Sequence, residues 1–275
     1  MEIKQLVHQI KKKRSFLCVG LDIDLEKVPS FIASGPDPLF DFSKAIVDAT
    51  AAYAVAFKPN IAFFETYGPE GMDALKRTMD YVHTKYPDIF TIADAKRGDI
   101  GNTSTRYAKA YFSTFGFDSI TVAPYMGKDS VEPFLAFQDK YTILLALTSN
   151  AGASDFQFSE SDGKPLHHHV ISTSQTYEGA DRLMYVVGAT KASALSEIRK
   201  LIPNSFLLVP GVGAQGGSLA EVVQHGITPE IGVLVNSSRG ILYASQGEDF
   251  AAAAAAQAQA LQAEMEKLMR QHQLL

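Results

Sequence analysis

The sequence predicts one α/β domain, residues 1–275, folded as a (β/α)8 TIM barrel, and three observations carry that prediction. Short apolar, β-branched runs alternate with amphipathic helical stretches from end to end, the pattern of parallel βα units. Eight such runs are present, the number a closed barrel requires. The 275 residues also match a one-domain barrel, which ordinarily has about 250. A doubly wound open sheet is the alternative, but it usually needs a glycine-rich dinucleotide turn after its first strand. Gly20-Leu21-Asp22-Ile23-Asp24 is not one.

In chain order the predicted strands are 16–22, 54–58, 90–96, 119–123, 142–148, 183–188, 206–210 and 231–236. Helices are expected in the gaps: an N-terminal one at 2–13, then 39–52, 71–85, 102–115, 130–137, 191–201 and 219–224. A long C-terminal helix closes the chain. It holds the alanine run 251–256 and then Leu261, Met265 and Leu268, a strong helix former with an apolar stripe that reads as a packing surface. Tyr107, Tyr111 and Phe115 stand at i, i+4 and i+8, compatible with a core stripe or with an interface.

Composition narrows the function. Hydrophobic residues make up 46% of the chain, enough for a large core, yet no apolar run has transmembrane length. The start, Met1-Glu2-Ile3-Lys4-Gln5, lacks a signal-peptide apolar region, so a cytoplasmic protein is expected. A net charge of −5 argues against nucleic acid or an anionic membrane as partner, while leaving room for a small anionic ligand in a locally basic pocket. The single cysteine, Cys18, excludes an internal disulfide and a multi-cysteine metal site; inside an apolar strand it reads as a core residue.

One connection, 149–166, is too long to be routine, and long loops in compact domains are usually lids or binding loops. His167-His168-His169 ends it. Adjacent side chains point in different directions, so three consecutive histidines rarely converge on one ion, and a solvated helix entry is expected instead.

Barrel active sites lie at the C-terminal ends of the strands. Those ends supply Asp22, Lys58, Asp94, Lys96 with Asp99 beyond it, Ser149 and Asn150, the segment from Pro210 to Gly217, and Ser238-Arg239-Gly240. In an extended strand alternate side chains share a face, so Asp94 and Lys96 are expected to point the same way. Two lysines among several aspartates would form an alternating charge network; a structural ring of ion pairs is the plain alternative. Pro210-Gly211-Val212-Gly213-Ala214-Gln215-Gly216-Gly217 leaves backbone N–H groups exposed after the seventh strand, where such barrels usually cradle phosphate, and Arg239 adds a fixed cation beside it. A phosphorylated small molecule is the expected ligand.

The stretch Asp94-Ala95-Lys96-Arg97-Gly98-Asp99-Ile100-Gly101-Asn102-Thr103 resembles the signature of the orotidine 5'-phosphate decarboxylase family, in the branch called type 2. Pro210 to Gly217 resembles that family's phosphate loop, and Gly20-Leu21-Asp22, Phe57-Lys58-Pro59-Asn60, Thr148-Ser149-Asn150 and Ser238-Arg239-Gly240 follow in its order. The resemblance implies loss of CO2 from orotidine 5'-phosphate to give UMP, with neither metal nor organic cofactor. It implies that Lys96 protonates pyrimidine C6, that Asp94 faces the departing carboxylate and that Lys58 bridges this aspartate and the ribose. Asp99 would cross into the partner's site of a homodimer, with Ile100 and Thr103 lining that pocket. Asp22 would contact ribose, Ser149 or Asn150 the pyrimidine, and Pro210, Gln215, Ser238 and Arg239 the phosphate end. Ser238 stands where many members have glycine. The nearest enzymatic alternative, a magnesium-dependent sugar-phosphate decarboxylase or aldol-type synthase sharing Asp-x-Lys-x-x-Asp, needs an acidic metal ligand where this chain has Lys58. A nucleotide-binding barrel without catalysis is the alternative from another class.

Overall fold

The computed structural model describes residues 1–189, 192–212 and 217–275. Ten strands occur among the described residues: β1 (Leu17–Leu21), β2 (Ala54–Pro59), β3 (Phe90–Arg97), β4 (Ser119–Val122), β5 (Tyr141–Leu147), β6 (Glu160–Ser161), β7 (Lys164–Pro165), β8 (Leu183–Val187), β9 (Leu207–Pro210) and β10 (Val233–Ser237). The first helices are α1 (Ile3–Lys13), α2 (Ser30–Ala33), α3 (Pro38–Thr50), α4 (Ile61–Glu65), α5 (Gly68–Lys85) and α6 (Gly101–Lys109). They are followed by α7 (Lys128–Leu135), α8 (Ala153–Phe156), α9 (Leu166–Ser174), α10 (Ala192–Leu201), α11 (Leu219–Gly226), α12 (Arg239–Leu242) and α13 (Phe250–Gln271).

Eight strands form a closed barrel in the order β1-β10-β9-β8-β5-β4-β3-β2, and β6 with β7 makes a separate hairpin. The pairings β1 with β2, β2 with β3, β4 with β5, β5 with β8 and β8 with β9 are all parallel. Every residue of β1, β2, β4 and β8 is buried. Burial on both faces explains why these strands read in the sequence as continuous apolar runs. All eight barrel strands lie within two residues of the predicted ones.

The chain divides into two compact units. The first comprises Met1–Ala95, Phe115–Phe117 and Asn236–Leu275. In it α13 buries Phe250, Ala254, Ala258, Met265, Leu268 and Met269, a helical stripe, so the C-terminal helix is a packing element as expected. Phe250 stacks on Phe42 of α3 at 5.4 Å between ring centroids. Cys18 is fully buried in β1, also as expected.

The second unit comprises Lys96–Thr114 and Asp118–Val235. Helix α6 runs directly into a π-helical turn, Ala110–Thr114, which interrupts the expected continuous helix and buries Tyr111 and Phe112. The long connection after β5 contains α8 and the β6–β7 hairpin. His167 corrects the expectation of a solvated histidine run: it is buried, its Nδ1 bonds the Gln157 carbonyl at 2.8 Å, and its ring meets Phe158 edge-on. Burial lowers its pKa from the ordinary histidine value. His169 reaches the hairpin through Nε2 and the Ser161 carbonyl at 2.7 Å.

Arg199 of α10 holds the segments that lead into β9 and β10. Its guanidinium donates to the carbonyls of Ile202, Ser205, Gly226 and Gly232. Burial lowers its pKa to about 10, and the four carbonyls solvate a guanidinium that still carries its charge at neutral pH. Arg199→Met is expected to strand these carbonyls and destabilise the protein by roughly 3 kcal/mol or more. Thermal unfolding checks this, and a Tm within 2 °C of the parent would contradict it.

Candidate active site

In the first unit the end of β1 and the end of β2 bring two charges together. Register places Gly20 beside Lys58 and Leu21 beside Pro59, so Asp22 leaves β1 just beyond the level of Lys58, within reach of its long side chain. A parallel bridge between Asn60 and Asp94 brings the end of β3 to the same height. Lys58, only 4% exposed, donates from Nζ to Asp94 Oδ2 at 2.7 Å and lies 3.9 Å from Asp22 Oδ1. At an effective dielectric near 20 the closer pair alone represents roughly 6 kcal/mol of Coulomb attraction, against a desolvation cost of several kcal/mol per ion. Burial alone would pull the Lys58 ammonium down, but Asp94 and then Asp22 outweigh it and hold its pKa above the ordinary lysine value. Lys58 is therefore a fixed cation. Asp22 Oδ1 is buried and accepts no hydrogen bond from the described residues.

Cys18 precedes Gly20 by two residues on the same face of β1 and feels this cluster. Its thiol is pushed up to about 12, chiefly by burial, with Lys58 lowering it and Asp94 and Asp22 raising it. It remains protonated at neutral pH and is no nucleophile.

Tyr243, which follows α12, clamps the chain beyond β1. Its hydroxyl donates to the Asp22 carbonyl at 2.7 Å and accepts the Asp24 N–H at 2.8 Å. Burial raises that phenol to about 12. At the end of β10, Asn236 Nδ2 donates to Ser238 Oγ at 3.2 Å. A Cβ on Gly20 would lie 1.9 Å from that hydroxyl, so Gly20 is the only residue that fits beneath Ser238 as it stands. Arg239, next in the chain, opens α12 and is exposed.

In the second unit β3 does not keep its pleat to the end. Lys96 has φ +46°, the left-handed region that residues with a Cβ rarely occupy, and its side chain is exposed. The regular pleat that simple alternation assumes is thus interrupted by a local turn at Lys96. That turn is pinned from β4 and the residue after it. Lys96 N–H donates to Thr121 Oγ1 at 2.9 Å, and the Arg97 carbonyl accepts from Ala123 N at 2.8 Å.

Asp99 is half-buried, and its Oδ1 accepts the Ile100 N–H at 2.7 Å. Its carbonyl accepts a short hydrogen bond from Ser104 Oγ. Ile100, 57% exposed, and Thr103 face outward. After β5, Thr148 Oγ1 donates to Asn150 Oδ1 at 2.5 Å, and Gln157 bonds the Thr148 amide and hydroxyl, each at 2.8 Å. Ser149 is half-buried, its backbone pressed against Gly188, where a Cβ would lie 2.7 Å from the Ser149 nitrogen. A cavity of about 650 Å³, lined by Thr148, Gln157, His167, Phe156 and Tyr125 among others, opens at this level. Pro210 ends β9, and the following Gly211 has φ +96°. Gln215 lies outside the described residues. Sequence reasoning missed Asn236, Tyr243 and Gln157. Only Asn236 left a signal, as the one polar residue in the run Val233-Leu234-Val235-Asn236.

A profile of the orotidine 5'-phosphate decarboxylase / HUMPS family matches residues 15–256. The chain is 61% identical to the orotidine 5'-phosphate decarboxylase of Christiangramia forsetii, over 98% of this chain and 100% of the relative. It is 53% identical to that of Porphyromonas gingivalis over the full length of both. Among solved structures, Leishmania donovani OMP decarboxylase superposes with a TM-score of 0.79 at 34% identity, covering 95% of this chain and 99% of that one. A closed parallel barrel with a buried lysine between carboxylates at its strand ends has the outline of a barrel enzyme. The chain belongs to the orotidine 5'-phosphate decarboxylase / HUMPS family.

Proposed function

We infer that the chain decarboxylates orotidine 5'-phosphate to UMP and CO2, the last step of de novo UMP synthesis. The observation that carries this reading is Lys58, a buried ammonium 2.7 Å from Asp94 and 3.9 Å from Asp22. A metal-dependent relative needs an acid at that place, and a fixed cation there repels Mg2+. A spectrophotometric assay of orotidine 5'-phosphate turnover tests the reading. No turnover by folded protein that still binds UMP would favour the nucleotide-binding alternative.

The reaction breaks the bond between C6 and the carboxylate carbon and leaves the electron pair on C6, with no electron sink in the ring. A preorganised ammonium stabilises that carbanion and then gives it a proton. Lys96 has this role. Arg97, whose guanidinium keeps its protons at working pH, cannot fill it. Asp94 faces the departing carboxylate, and Lys58 holds Asp94 while reaching the ribose hydroxyls. Asp22, whose buried Oδ1 needs a donor, accepts from the ribose. Ser149 or Asn150 reads the pyrimidine; Pro210, Gln215, Ser238 and Arg239 hold the phosphate end. In a cytoplasmic homodimer Asp99 completes the partner's site, a reading supported by the outward-facing Ile100 and Thr103 that follow it. Among the described residues no helix is long and apolar enough to cross a membrane.

Arg239→Ala is expected to raise KM for orotidine 5'-phosphate roughly 10- to 100-fold, since a charge-assisted phosphate contact contributes about 1.5–3 kcal/mol. Initial rates against substrate concentration measure it. Equal binding of orotidine and its 5'-phosphate by the parent would count against Arg239 as a phosphate ligand.

A further inference from the structure

Arg97 has no part in the chemistry above, yet it follows the lysine that does. Its guanidinium is half-buried and donates from Nη2 to the Tyr111 hydroxyl at 3.0 Å. The same group lies 5.3 Å from the ring centroid of Tyr107 and 5.7 Å from that of Tyr111, within the range of cation–π attraction. Tyr111 sits in the π-helical turn Ala110–Thr114, and such turns are frequent at functional sites. Here the turn buries Tyr111 while Tyr107, one helical turn earlier, stays half-buried.

The backbone around Arg97 is constrained on both sides. Before it, Lys96 is held at φ +46° with its N–H on Thr121. After it, a Cβ on Gly98 would lie 2.9 Å from the Ala123 carbonyl oxygen, so the chain passes β4 at close quarters. A lysine in the left-handed region persists only where its surroundings over-determine it. Relaxation to extended backbone would change the direction in which the Lys96 side chain leaves the chain.

We propose that Arg97 is a positioning residue, whose guanidinium, clamped by Tyr107 and Tyr111, holds the turn that aims Lys96 at the reacting carbon. The proposal rests on Lys96 being the proton donor. Arg97 acts through backbone geometry and touches no substrate. It therefore affects the chemical step and leaves ground-state binding alone.

The test compares Arg97→Met, which keeps a long stem without the charge, with Arg97→Lys, Tyr111→Phe, Lys96→Ala and the Lys96→Ala/Arg97→Met double variant. Arg97→Met is expected to lower kcat 10- to 100-fold while KM for orotidine 5'-phosphate and Kd for UMP stay within threefold. Arg97→Lys, which keeps the charge over the rings, should recover part of that loss. In the Lys96→Ala background the Arg97 substitution should cost nothing further, since there is no amine left to aim. Arg97→Met at parental kcat, beside an inactive Lys96→Ala, overturns this proposal alone. An equal loss in both backgrounds does the same, because it marks an independent role. Lys96→Ala retaining turnover within tenfold overturns the proton-donor reading and this one with it. Should Arg97→Met fail to fold, Tyr111→Phe removes one hydroxyl and reads the same split: a fall in kcat of threefold or more at unchanged KM supports the proposal, and an unchanged kcat overturns it.

Discussion

Lys96→Ala is expected to lower kcat by at least about 10³-fold while UMP binds within about threefold of the parent. General-acid contributions run to about 10²–10⁴, and a preorganised charge beside a developing carbanion adds to them. The split between kcat and binding is the informative part, because an ammonium that acts on the transition state should be nearly silent in a product complex. Single-turnover rates and UMP titration measure the two halves separately. Turnover within tenfold of the parent would remove Lys96 from the chemistry.

Mixing two inactive proteins should restore activity. If Asp99 acts across a twofold interface, a heterodimer of Asp99→Ala and Lys96→Ala subunits holds one site with both lesions and one with neither. Each heterodimer should then work at about half the rate of a parental dimer, one intact site of two. Subunit exchange followed by size and tag analysis establishes that heterodimers formed. Proven exchange without recovery would put Asp99 in its own subunit's site.

Much of the fold was legible because parallel strands covered on both faces are apolar throughout, and runs such as Leu144–Leu147 and Val233–Val235 announce themselves. The charged residues at their ends were legible for the complementary reason: Lys58, Asp94 and Asp22 interrupt apolar runs at one level, and burying charges there demands a partner. What escaped was geometry set by remote contacts. The left-handed backbone at Lys96 lies where Thr121 and Ala123 bind the chain, and only Gly98 hinted at a close passage there. His167 is buried by Gln157 and Phe158, residues of the same long connection whose hairpin no periodicity reveals. Tyr243 contacts Asp22 across 221 residues of chain, a pairing invisible to any local window.

That last contact bears on how the molecule is made. Asp22 is synthesised 221 residues before Tyr243, which holds its backbone, and Gly20 likewise long before Ser238, which covers it. Contacts of such long sequence separation bear a large loop-closure entropy and form late. A growing chain halted before Tyr243 would thus carry every ionisable group of the Lys58 cluster without the phenol that fixes the peptide beyond β1. The peptide beyond β1 is in this sense fixed by an aromatic hydroxyl supplied from far along the chain.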